Sequence, residues 1–201
     1  MMRLFCRRKL INVCVLIVTS IILISCGSAV RSTYDLTIPD IISPQTNQKR
    51  TQILIASPEA VKSLDGQDIV IREDGGNIYY LKGAQWSDRL PNLVQARLLQ
   101  AFENSRKFAG VGRPGEGLAI DYQVLTEIRR FDVSVTNNQK IAHIEIAVKI
   151  MNDSNGVIRA SRVFSIQRNV NSSVNSDGVS ALDSAFREII VEIVNWTLKQ
   201  I

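Results

Sequence analysis

The sequence is poor in the residues from which many enzyme sites are built. Its 201 residues include a single histidine, His143, and only three cysteines, Cys6, Cys14 and Cys26. A zinc or iron site built from imidazole and thiolate groups needs several such ligands in one cluster, so this class of metal centre is excluded. The sequence also contains neither a Gly-x-Ser-x-Gly nucleophile elbow nor a Walker A motif, so it predicts neither a hydrolase site nor ATP binding.

Cysteine is absent from every position after residue 26. Cys6 and Cys14 lie within an apolar N-terminal segment, and Cys26 lies at its end. The remaining chain therefore has no thiol with which to form a disulfide. An exported domain of this kind depends on its hydrophobic core alone for stability.

Acidic residues are absent from the first 25 positions, which carry four of the 24 lysines and arginines. The remaining residues have 20 basic against 19 acidic side chains, so the formal net charge falls from +5 for the whole chain to +1. The excess positive charge belongs to the N-terminal segment. It gives no support for nucleic-acid binding by the rest of the chain.

The N-terminal segment predicts a lipoprotein signal peptide. Basic residues are followed by a largely apolar run at residues 10–24. Fifteen helical residues span about 22 Å at ~1.5 Å each, less than the ~30 Å hydrocarbon core, which favours a cleaved signal over a permanent membrane span. The run ends at Leu23–Gly27, with the sequence Leu-Ile-Ser-Cys-Gly, which resembles a bacterial lipobox.

The lipobox resemblance implies cleavage before Cys26, with acylation of its thiol and then of its amine. We therefore expect a signal peptide at 1–25, the lipidated cysteine and a tether at 26–33, and a folded domain at 34–201. Gly27, rather than aspartate, follows the cysteine, which favours the outer membrane over the inner membrane under enterobacteria-like sorting. The alternative is an ordinary signal peptide or anchor with an incidental cysteine.

Short β-rich runs occupy the first part of the domain. Ile53–Ala56 is typical of a buried strand. The runs Ile69–Arg72 and Ile78–Leu81 flank a Gly-Gly turn, which predicts a hairpin. Later, three alternating segments between Leu118 and Ile166 predict a meander with one buried and one wet face. Phe131 is out of phase with the alternation before it, which predicts a β-bulge at the preceding arginine pair.

Two amphipathic helices complete the predicted secondary structure. The first follows the hairpin at about Arg89–Ser105, and either Ser87 or Asp88 is expected to be its N-cap. The second is expected at about residues 176–201. Together these elements predict an α+β fold: a two-layer sandwich of a largely antiparallel sheet with both helices on one face.

Three aromatic residues, Tyr79, Tyr80 and Trp86, lie within eight positions of one another. They are candidates either for core and edge packing or for an aromatic surface that contacts a partner protein or lipid. For Trp86 we expect the ring to fill the junction of helix and sheet. Neighbouring strand residues face opposite ways, so at most one tyrosine is expected in the core, and the outward one is the first docking candidate.

Several blocks of the sequence resemble the ABC-type transport auxiliary lipoproteins. The most specific is Ala84–Pro91, with the sequence Ala-Gln-Trp-Ser-Asp-Arg-Leu-Pro. Weaker matches include Tyr34–Leu36, Asp121–Val124 and Arg162–Phe164. The loop Arg113–Gly117 departs from the family pattern. The resemblance covers nearly the whole chain after the lipobox.

The resemblance implies a lipoprotein without catalytic activity or cofactor, anchored in a membrane through its acylated cysteine at the periplasmic side of the envelope. Its expected partners are an MCE (mammalian cell entry) protein and the associated ABC permease and ATPase, which move phospholipids or other hydrophobic molecules between membranes. Phospholipid is a further candidate ligand, no nucleic acid is expected, and homo-oligomer formation is left open. The alternative function is an envelope assembly or structural lipoprotein that binds another outer-membrane protein.

Overall fold

The computed structural model describes four segments of the chain: residues 30–39, 49–137, 139–170 and 175–201. The predicted signal peptide and Cys26 lie outside these segments. Met1–Val30 and Arg31–Ile201 are two separate units of the chain. The following description concerns the second unit.

The described residues form nine strands and two helices. The strands are β1 (Ser32–Tyr34), β2 (Gln52–Ile55), β3 (Glu59–Ala60), β4 (Asp68–Glu73), β5 (Ile78–Trp86), β6 (Gly110–Gly112), β7 (Tyr122–Thr136), β8 (Gln139–Asn152) and β9 (Ile158–Val170). The helices are α1 (Leu90–Ser105) and α2 (Asn175–Gln200). All nine strands belong to one sheet.

Strand β7 organises this sheet, because both of its edges are paired. On one edge β8 runs antiparallel over its whole length, and β9 pairs antiparallel with β8. The other edge is shared by β2, β3 and β4, which follow one another along β7 and all run parallel to it. Strand β5 forms the predicted hairpin with β4, while β1 and β6 add parallel strands at the outside.

The α+β class and the two helices are confirmed. The longest pairings, β7 with β8 and β8 with β9, are antiparallel as predicted. The short strands, in contrast, join mainly by parallel pairing, which the sequence did not reveal. Runs of two to six residues specify burial through their hydrophobicity, but they carry little information about partner or direction.

The alternation predicted for the meander is confirmed. One face of β8 is completely buried: Ala142, Ile144, Ile146, Val148 and Ile150. In β7 the register shifts between Ile128 and Arg130, and Phe131 is again buried beyond the shift. The β-bulge predicted from the phase of Phe131 is therefore present.

Helix α1 starts close to its predicted position but without the predicted cap. Arg89 occupies the N-cap position and makes no side-chain capping bond. The Asp88 carboxylate instead accepts from the N–H of Arg89 itself, so the prediction of Ser87 or Asp88 as N-cap is wrong. The N–H of Leu90 donates to a carbonyl in the turn before β4, so backbone from elsewhere in the fold satisfies part of the helix start.

An aromatic chain joins the sheet to the helices. The indole ring of Trp86, only 1% exposed, meets the ring of Phe131 edge-on at 5.7 Å, and Phe131 contacts Phe186 of α2 at 5.9 Å. This confirms the core interpretation of Trp86. It also removes Trp86 from the candidates for partner or lipid contact, because almost none of its ring reaches the surface.

Helix α2 covers the sheet with a continuous apolar stripe. Its fully buried members are Leu182, Ala185, Phe186, Ile189, Ile190, Ile193 and Val194. Near its end, Trp196 is half-buried against the ring of Phe164 at 5.6 Å. Within the part of the chain that the structure describes, neither helix has the length and apolar character required to cross a bilayer.

Replacing Trp86 with alanine is expected to lower the free energy of unfolding by about 3–5 kcal/mol, because a large cavity would remain beside Phe131. Urea unfolding of the soluble domain without Cys26, followed by circular dichroism, would measure the change. Trp196→Ala is the matched control and should cost less, since its ring is only half-buried. Equal losses for the two variants, or no loss for Trp86→Ala, would contradict the packing described above.

Candidate functional site

One corner of the sheet exposes a cluster of apolar and aromatic side chains, which we call the aromatic corner: Ile78, Tyr79 and Tyr80 of β5. Their exposed fractions are 38%, 50% and 48%. Tyr79 pairs with Ile71 and Tyr80 with Val70, so the two rings point to opposite faces of the hairpin. Both tyrosines are therefore available at the surface, and neither is a core residue.

The outer edge of β5 is only partly paired. Strand β1 covers Ala84–Trp86, whereas no described strand pairs with that edge from Ile78 to Gly83. Between Tyr80 and Gln85 the register with β4 shifts, and Gly83 adopts a φ of +70°, which glycine tolerates at no steric cost. The aromatic corner thus combines exposed rings with a stretch of β5 edge that no described strand covers.

Behind the corner, the sheet face opposite the helices holds a buried carboxylate. Asp132 is fully buried between Phe131 and Val133, whose side chains point to the helix side. Its two oxygens accept from Arg130 Nε and Nη2 at 3.1 and 2.9 Å, and Ser134 Oγ lies 2.9 Å from Oδ2. The Nε atom of Arg72 lies 3.6 Å from Oδ1. Two guanidinium groups thus flank one buried carboxylate.

The single histidine lies opposite Asp132 in the register of β7 and β8. Its Nε2 atom is 3.1 Å from Ser165 Oγ on β9. Burial lowers the pKa of His143, the positive charge of Arg130 lowers it further, and Asp132 and Glu145 act in the opposite direction. The imidazole is therefore favoured in its neutral form.

This serine–histidine pair could not be predicted from the sequence, since 22 positions separate its members and only the strand register brings them together. A catalytic pair also requires a carboxylate that orients the histidine and donors that stabilise an oxyanion. Asp132 directs its oxygens to Arg130 and Ser134 instead. The pair is consequently a surface polar contact rather than a charge-relay site.

Two small hollows accompany these features. One, of about 200 Å³, lies where the β2–β3 connection meets β7 and β8, and the buried Thr126 hydroxyl at its wall has no hydrogen-bond partner. The other, of about 250 Å³, lies between Tyr34 and α2. Both are smaller than the ~300–1,000 Å³ typical of small-molecule sites. Among the described residues, no three His, Asp or Glu side chains are grouped to hold a metal ion.

The family of ABC-type transport auxiliary lipoprotein components matches residues 34–194, which include every strand from β2 to β9, helix α1 and most of α2. The chain belongs to this family. The family is described as a lipoprotein component that is auxiliary to ABC-type transport.

Three further proteins are similar to the chain. The uncharacterized protein bll6063 of Bradyrhizobium diazoefficiens is 32% identical over 170 residues, 85% of the auxiliary lipoprotein, which spans only 46% of that relative. The crystal structure of protein XCC0632 from Xanthomonas campestris is 28% identical, with a TM-score of 0.78 over 84% of this chain and 95% of that one. A second crystal structure, of an uncharacterized protein, shares the fold at 12% identity and a TM-score of 0.61, covering 84% and 99% of the two chains.

The lowered pKa of His143 predicts a specific pH dependence of stability. Because the folded pKa lies below the ordinary value of 6.5, the unfolded chain binds the proton first as the pH falls through that value, and stability decreases there. The slope from this group cannot exceed about 1.4 kcal/mol per pH unit. Above about pH 7.5 the group is neutral in both states and contributes no slope.

Urea unfolding of the wild-type protein and of His143→Gln, repeated between about pH 8 and pH 5, would test this. The wild type should lose more stability than the variant as the solution becomes acidic, while the two curves stay parallel at higher pH. Other carboxylates titrate in both proteins and cancel in the difference. Parallel curves over the whole range would show that burial does not depress the histidine's proton affinity.

Proposed function

We propose that the auxiliary lipoprotein is a non-catalytic docking component of an MCE-type ABC transport system that moves phospholipids or other hydrophobic molecules across the envelope. The observation that carries this proposal is the family match over 34–194. The polar clusters of the described residues support it. The Asp132 carboxylate accepts hydrogen bonds from Arg130, and no described carboxylate orients the His143–Ser165 pair. A protein of this kind acts by holding other components in place.

The size of the hollows favours docking over carriage. A phospholipid acyl chain needs a long apolar channel, whereas the two hollows measure about 200 and 250 Å³ and are lined in part by charged side chains. Glu59, Glu127 and Lys149 line the first hollow, and Asp35, Asp183 and Arg187 line the second. In this proposal the cargo passes through the MCE protein, and the lipoprotein supplies a fixed attachment point.

The attachment point is set by lipid at Cys26. One acyl chain binds a membrane only marginally, whereas two or more hold it firmly, so a fully acylated cysteine does not exchange between membranes unaided. With Gly27 after the cysteine, the proposed location is the periplasmic face of the outer membrane. The near-neutral charge of the chain after residue 25 leaves apolar and aromatic contacts, rather than electrostatic steering, to select partners.

Cys26→Ser should abolish both processing and acylation. The expected result is an unprocessed precursor that incorporates no radiolabelled palmitate and is about 25 residues longer than the wild-type product on intact-mass analysis. Cys14→Ser, which changes a cysteine within the signal segment, is the matched control and should be processed and labelled normally. Palmitate incorporation by Cys26→Ser would place the lipid elsewhere.

Partner recovery tests the transport assignment. Purification of the natively lipidated protein in mild detergent, followed by mass spectrometry, should recover an MCE-domain protein together with an ABC permease and ATPase. An unrelated lipoprotein of the same membrane, purified in parallel, defines the background. Recovery of an outer-membrane protein without any ABC component would instead support the envelope assembly or structural role.

A further inference from the structure

We propose that the aromatic corner rests in the headgroup region of the bilayer that holds the acylated cysteine, so that the domain has a fixed orientation on the membrane. Here Ile78, Tyr79 and Tyr80 contact zwitterionic phospholipid rather than a protein. The inference rests on the proposed lipidation of Cys26. It is carried by the direction of one strand, the length of the tether and the chemistry of the exposed side chains.

Strand polarity directs the tether towards the corner. Strand β1 runs parallel to β5 along its outer edge, with Ser32 opposite Ala84 and Tyr34 opposite Trp86. The chain that precedes Ser32 therefore leaves in the direction of Ile78, along the edge that no described strand covers. The Arg31 guanidinium donates to Asp68 at 2.9 Å, which holds the start of β1 against the hairpin.

The tether is too short to lead the lipid anchor far from this corner. Six residue steps separate Cys26 from Ser32, so their greatest separation is about 20 Å at ~3.3 Å per step. From Asp68, which pairs with Gln85, to Arg72, which pairs with Ile78, β4 advances about 13 Å. The corner thus lies within the reach of a tether of this length.

The greatest length of the tether limits the space between the corner and the bilayer to less than the diameter of a folded partner domain. A protein domain of 100 residues has a radius of gyration of about 13 Å, so its diameter exceeds the space that a 20 Å tether leaves. The bilayer itself is consequently the favoured occupant. A partner protein bound at the corner is the competing outcome, and the experiment below separates the two.

The side chains suit a membrane interface. Tyrosine is enriched at headgroup level, because its ring is apolar while its hydroxyl remains hydrated. Tyr79 and Tyr80 lie on opposite faces of the hairpin. When the uncovered end of β5 approaches the membrane, both rings can therefore enter the headgroup region. Glu73 and Asp74, exposed in the adjoining turn, disfavour a strongly anionic surface, which is why a zwitterionic headgroup is proposed.

Fluorescence quenching by brominated lipid tests this orientation. The natively lipidated protein carrying Tyr80→Trp would be reconstituted in phosphatidylcholine vesicles with or without brominated acyl chains. Val163→Trp is the matched control, because Val163 is 46% exposed and lies on the same sheet face, about 19 Å away across four strand spacings. Both variants also contain the two native tryptophans. The emission of the wild-type protein measures the contribution of these two residues, and it is subtracted from the emission of each variant.

The expected result is a loss of Tyr80→Trp emission in brominated vesicles, while Val163→Trp keeps its emission. Equal quenching of both variants, or quenching of neither, in protein that floats with the vesicles would overturn the proposal. Wild-type protein that fails to float would instead refute the lipidation of Cys26, a separate failure. Loss of partner recovery by Tyr79→Ala and Tyr80→Ala, without a quenching difference, would assign the corner to a protein contact.

Discussion

The fold depends on one constraint: the backbone of β7 must be hydrogen-bonded along both edges of a fifteen-residue strand. A single partner, β8, satisfies one edge, but the other is satisfied by β2, β3 and β4 placed end to end. Each of these strands is too short to be stable alone, and each gains its position from β7. The first half of the chain is therefore organised by a strand that comes after it in sequence.

The bulge between Ile128 and Arg130 determines which side chains of β7 face the helices and which face away. Without the extra residue, Asp132 would point into the core against Phe186 and Phe131 would point outward. With it, Phe131 links Trp86 to α2, and Asp132 meets Arg130 and Arg72 on the other face. One irregular residue thus separates the apolar core from the polar network of Asp132, Arg130 and Arg72, which lies on the other face of the sheet.

The spacing of apolar residues along the sequence predicted the parts of the fold in which the same hydrophobic pattern continues over many residues. The alternation in β8 and the bulge before Phe131 could be predicted without knowing which strands pair with β7 and β8. The burial of Trp86 was predicted from its position between a strand and a helix. The parallel pairing of β2–β4, the missing N-cap before α1 and the meeting of His143 with Ser165 depend on register between distant segments. For the same reason, the exposure of both Tyr79 and Tyr80 became visible only once the uncovered end of the sheet was known.

The length of β7 also makes the domain a rigid spacer. From Val133, level with the aromatic corner, to Tyr122 the strand advances about 36 Å, and the opposite end exposes Leu118, Val157 and Ile158. In the proposed orientation, with the aromatic corner on the bilayer, the opposite end of the domain stands at a set height above it. A partner then meets the exposed end at one height and in one orientation, as it would not with a domain on a flexible arm. Less orientational entropy is therefore lost on binding.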